Sequence, residues 1–232
     1  MKPSKMLAAG SALALVATLG MAGTPAVAKG DKPLSKVVID GKYDSNGRDF
    51  DILAGLVQAA LDFNSDSPLK VITNGSTKLT VFAPDDNAFK NFARTVTGKS
   101  KISEKEAVDA ILATVSVDPA KDGDSDSGTE SNPAGPAPTV SDLEGLLLGH
   151  MVDGTITAKM LLKPKYKKVT TKVGTKIKVL VKKPKSNSPK IRLQNGLPSF
   201  KDPKVVKSDI NKGNKQIAHA ISQVYLPSNT FA

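Results

Sequence analysis

LTVFAPDDNAF, residues 79–89, places an apolar run, a proline and two adjacent carboxylates ahead of a new amphipathic pattern. Its reading decides how the chain is assembled. Leu79 to Ala83 is short, apolar and β-branched enough for a buried strand that ends at Pro84. In the residues that follow, Phe89, Phe92 and Ala93 share one face of a helix. Asp85 or Asp86 then stands at the helix N-cap, where a carboxylate accepts from free N–H groups and meets the positive end of the helix dipole. A catalytic pair would need a histidine or a third polar group close by in sequence, and none is there.

Working outward, FDILAGLVQAALDF (50–63) has Ile52, Leu53, Leu56, Val57, Ala60 and Leu61 at helical spacing, and a second short helix fits 66–73. SEKEAVDAILATV (103–115) begins with a capping box, Ser103 with Glu106; SDLEGLLLGHMV begins with another, Ser141 with Glu144. TAKMLL gives one more short helix. Between the two boxes, residues 118–139 are rich in Gly, Ser, Asp and Pro and read as a flexible acidic insertion. From Lys165 the period changes to two. In TKIKVLV (175–181), Ile177, Val179 and Val181 face one way and Lys176, Lys178 and Leu180 the other. IRLQNG (191–196), PKVVKSDI (203–210) and QIAHAISQVYLP (216–227) continue as strands. Helices first and strands last is an α+β layout.

Composition limits the chemistry. The chain has no cysteine, so disulfides, thiolate metal sites and thiol nucleophiles are excluded. It has no Trp and three Tyr, too few for stacking platforms on sugar or single-stranded nucleic acid. Lys2 and Lys5, an uncharged run from Met6 to Val27 and the small-residue site Ala26-Val27-Ala28 have the layout of a secretory signal peptide over 1–28. The expectation is a secreted, extracellular or periplasmic protein whose mature chain starts at Lys29, with no later membrane span. Residues 29–49 read as a polar lead-in to the domain at 50–228.

Three ordered stretches resemble the signature motifs of fasciclin domains. They are LTVFAPDDNAF, LLLGHMVDGTITAKMLL (146–162) and VVKSDINKGNKQIAHAISQVYLP (205–227). Gly149 stands where that family's central motif carries Tyr, and Ser222 where its final motif carries Asp. The resemblance implies a wedge-shaped β-sandwich with helices packed at its edge. It further implies an adhesion or matrix-type interaction module without catalytic activity or cofactor.

Polar motifs outside this frame are weak. His150 and His219, the only histidines, align with motif histidines of the family and read as structural hydrogen-bonding groups; zinc would want more ligands. DGDSDSGTE (122–130) has alternating aspartates, but Ser127 and Pro133 occupy the EF-hand's glycine and glutamate positions. Asn74-Gly75-Ser76 is a formal glycosylation sequon that reads more simply as a turn. A hydrolase using Asp85, Asp86 and His150 is the alternative from another class.

Charge is the most informative polar feature. Lys29 to Ala158 carries a net −7, and Lys159 to Lys215 a net +16. Lys167, Lys168, Lys172, Lys176, Lys178, Lys182, Lys183 and Lys185 are the candidate partner-binding residues, lying on strands or the turns between them. Strand alternation sets several on one solvent face, about 7 Å apart along the strand. Such a face suits an acidic extracellular protein or an anionic polymer: polysaccharide, teichoic acid or, without sequence preference, nucleic acid. Two other readings are lysine guarding an exposed sheet edge and head-to-tail self-association of basic and acidic halves.

Overall fold

The computed structural model describes residues 30–38, 43–114, 140–182, 189–197 and 200–226. The expected signal peptide (1–28), the expected acidic insertion (118–139), Lys183 and Lys185 lie outside the described residues. The elements run α1 (Ser35–Val38), α2 (Asp51–Phe63), a 3-10 helix (Pro68–Thr73), β1 (Leu79–Pro84), α3 (Asp86–Thr97), α4 (Glu104–Thr114) and α5 (Val140–Leu148). Then follow β2 (Met151–Asp153), α6 (Ala158–Leu161), a second 3-10 turn (Pro164–Tyr166), β3 (Lys168–Thr170), β4 (Lys176–Lys182), β5 (Lys190–Gln194), β6 (Val205–Ile210) and β7 (Gln216–Ile221).

The fold is α+β, with two sheets. A four-stranded sheet has the order β2-β1-β7-β6 and a three-stranded sheet the order β3-β4-β5. β1 pairs in parallel with β7, Leu79 opposite Gln216 and Phe82 opposite His219; the other pairings are antiparallel. The α+β layout stands, with two strands set among the helices in sequence, β1 before α3 and β2 before α6. β1 lies among the helices in sequence yet holds the centre of the sheet, next to the last strand of the chain. β2 and β3, three residues each, lack enough length to show a period.

All six residues of β1 and all six of β7 are buried, as expected for strands covered on both faces. Leu79, Val81, Ala83 and Ala218 face a helical core with Leu56 and Val57 of α2, Phe89 of α3, Ile111 of α4 and Leu147 of α5. Phe82 and Ile221 face the other way, into a core between the sheets with Ile177, Val179, Ile191 and Leu193. Single bridges, Val152 to Thr171 and Arg192 to Lys204, link the two sheets at both margins.

Described residues of the expected lead-in pack against this body. Leu34 is fully buried, and its N–H donates to the Gln216 side chain at 2.8 Å. Gly30 exchanges backbone hydrogen bonds with Gly213 and Lys215. Helix starts follow local chemistry. Ser103 and Glu106 close a capping box on α4, with Glu106 accepting from both the Ser103 N–H and hydroxyl. α5 departs from expectation: it begins at Val140, one residue ahead of Ser141, and Glu144 is turned to Asn64 at the end of α2, 3.0 Å away.

Candidate functional site

The two aspartates after β1 do different work. Asp85 is the N-cap of α3; its Oδ1 accepts from the Ala88 N–H at 2.8 Å. Asp86 is the first residue of α3 but serves α2. Its carboxylate accepts from the N–H groups of Asp51 and Ile52, at 3.2 and 2.9 Å, and so caps a helix 35 residues earlier in the chain. Backbone bonds Asp86 N–H to Asp49 and Asn87 N–H to Gly47 clamp the two helix starts together.

This junction gathers carboxylates that sequence reasoning did not connect. Oxygens of Asp49, Asp86 and Glu104 lie within 4.8 Å of one another, as do those of Asp44, Asp49 and Asp51. Most have partners that explain them without a cation. Glu104 pairs with Lys90 at 2.9 Å in a nearly buried ion pair and accepts from the Asp44 N–H. Asp49 accepts from the Asn46 side chain through Oδ2, and its carboxylate also meets the Asp86 carboxyl side chain to side chain. Burial, with the Asp49 carboxylate beside it, pushes Asp86 up to about 8 against the pull of its two amide donors. Burial also raises Asp85, opposed by the Ala88 N–H.

The histidines are braced separately. His150 is fully enclosed: its Nδ1 donates to the Leu146 carbonyl at 2.8 Å, and its Nε2 accepts from the Tyr225 N–H at 2.9 Å. These partners fix the tautomer, since a carbonyl can only accept and an amide can only donate. Burial pushes its pKa down to about 4. His219 takes the opposite tautomer, Nε2 donating to Ile156 and Nδ1 accepting from Asp209, and it stacks on Phe82 with centroids 5.7 Å apart. Burial lowers its pKa as well. With both nitrogens of each ring held by backbone, neither imidazole has a lone pair or proton to offer a substrate. Asp85, Asp86 and His150 form no hydrogen-bonded set; each is turned to a separate backbone group.

The lysines sit elsewhere, on the outward face of β3-β4-β5. The register places Lys168 opposite Lys178, Thr170 opposite Lys176, Leu180 opposite Arg192 and Lys182 opposite Lys190. Lys168, Lys176, Lys178, Lys182 and Lys190 are exposed and Arg192 is half-buried. No Asp or Glu occupies an outward position of these strands. Among the described residues none of these six cations forms an ion pair. Lys167 is exposed at the end of the 3-10 turn before β3. Lys172 differs: it pairs with Asp153 at 2.7 Å and spends its charge within the molecule. Lys190 and Arg192 are the members that sequence reasoning missed. The alternation of KIRLQ carries the signal, but only the β4–β5 register shows that they extend this face.

Among solved structures, the chain is similar to a FAS1 domain pair from the insect cell adhesion molecule fasciclin I. The sequence identity is 15% and the TM-score 0.46, over 78% of this chain and 48% of that one. The chain thus spans about half the length of that structure. No family model matches the chain, and no curated protein does.

Proposed function

We propose that this protein is a secreted, non-enzymatic interaction module that holds an acidic extracellular partner against the outward face of β3-β4-β5. The partner is an acidic protein surface or an anionic polymer of the cell surface or matrix. The observation that carries this reading is the pairing of like charges, Lys168 across from Lys178 and Lys182 across from Lys190. Like charges directly opposite each other on a sheet destabilise it. Edge protection does not account for Lys178, which pairs with Lys168 of β3 on one side and with Gln194 of β5 on the other. The margins of that sheet are themselves bridged to β2 and to the residue before β6. The motif resemblance to fasciclin domains points to the same class of role.

Chromatography on immobilised heparin, a generic polyanion, tests the reading. Retention at low salt that falls steeply as salt is raised is the expected result, because screening shortens to about 8 Å at physiological ionic strength. A protein that flows through at low salt is not a polyanion binder.

A further inference from the structure

A second surface lies where the two sheets fail to close. Among the described residues β5 and β6 form no ladder; a single bridge joins Arg192 to Lys204, just ahead of β6, and Leu193 N–H donates to the Pro203 carbonyl. Beside that bridge a groove of about 350 Å³ opens where a ladder would otherwise continue. Pro189 and Ile191 form one wall, Val206 and Ser208 the other, and Lys159 and Leu162 of the α6 region a third. β6 is the terminal strand of its sheet, with β7 its only ladder partner among the described residues. Two of the large apolar side chains left exposed, Leu162 and Val206, meet here; Val206 is 56% exposed.

We infer that this groove takes a short extended peptide segment carrying carboxylates, contributed by a partner protein, which lies along β6 and sets alternate apolar side chains between Leu162, Ile191 and Val206. Three observations select that occupant. An edge strand beside an apolar groove is the arrangement for strand addition, in which main-chain pairing gives affinity and side-chain pockets give specificity. The rim is cationic: Lys159 lines the groove, and exposed Lys190, Lys204 and Lys207 flank its walls. Among the described residues no acidic side chain lines it, and Asp209, the one carboxylate on β6, accepts from the Ala158 N–H at 2.8 Å. The same lysines repel a second copy of this edge, which would bring like charges together, but not a segment that carries carboxylates. The groove has its own walls, and of its rim cations only Lys190 is shared with the lysine face of β3-β4-β5.

The test is an NMR titration of the full folded domain with a synthetic peptide of alternating valine and glutamate. Soluble polyglutamate and a valine–lysine peptide serve as controls. Saturable shifts of the Ile191, Val206 and Ser208 amides with the valine–glutamate peptide alone are expected. Val206→Glu and Lys159→Glu should each weaken binding about tenfold; both residues are solvent-exposed, so the melting curves should be unchanged. Three results would overturn the inference: no shifts, equal binding of polyglutamate, or shifts confined to the outward residues of β4.

Discussion

Asp86 is the residue at which fold and solvent conditions meet. Its folded pKa, about 8, lies above the value near 3.8 of an unfolded aspartate, so between those limits the folded state holds more protons. Stability from this group is complete at the acid end and is lost as pH rises toward 8. His150 works in the opposite sense. Its pKa of about 4 lies below the ordinary 6.5, so its contribution is complete above 6.5 and is lost as pH falls toward 4. Above pH 6.5 both histidine contributions are complete, and of the two raised aspartates, Asp85 and Asp86, it is Asp86 that is pushed up to about 8. Thermal melts from pH 6.5 to 9 should show the wild-type midpoint falling and Asp86→Asn holding level, since asparagine imitates the neutral acid. Parallel falls would place the titrating group elsewhere. Asp86→Ala strands two buried amide donors and should cost about 3 kcal/mol in denaturant unfolding, at roughly 1–3 per unsatisfied group. The sequence shows a capping aspartate here because strand, proline and amphipathic helix are adjacent. It cannot show that Asp86 caps α2, because that contact spans the separation between two helix starts. The clustering of Asp49 and Glu104 with Asp86 was illegible for the same reason.

At the scale of elements, α3 and α4 are locked by one nearly buried charge pair, Lys90 with Glu104, which also receives the Asp44 N–H. Lys90→Met leaves Glu104 buried without its counter-ion and should lower the unfolding free energy by about 3–5 kcal/mol. Urea titration of that variant checks this; a loss under 1 kcal/mol would mean that Glu104 finds solvent. Periodicity revealed the longer elements, and α2, α4, β4 and β5 lie where it places them. It was silent on β2 and β3, whose three residues make no pattern, and on sheet order. The parallel contact of β1 with β7 is a matter of tertiary pairing. Both strands are buried throughout, but in sequence β1 reads only as a short apolar run, which a helix core shares, and β7 carries Gln216 and His219.

The whole molecule separates its charge. Acidic groups collect at the helix starts, where backbone N–H groups and Lys90 hold them, while outward cations collect on a sheet whose described outward positions hold no carboxylate. The first arrangement serves the fold and the second opposes it. The lysine run is plain in the sequence; its facing pairs across β3, β4 and β5 appear only with the register. The most direct measurement takes Lys178→Glu with Lys182→Glu, which turns both like-charged pairs into attractive ones. Melting temperature and heparin retention are then read on the same protein. The account predicts a gain of roughly 0.2–1 kcal/mol per pair in stability together with loss of retention. Retention equal to wild type would contradict it.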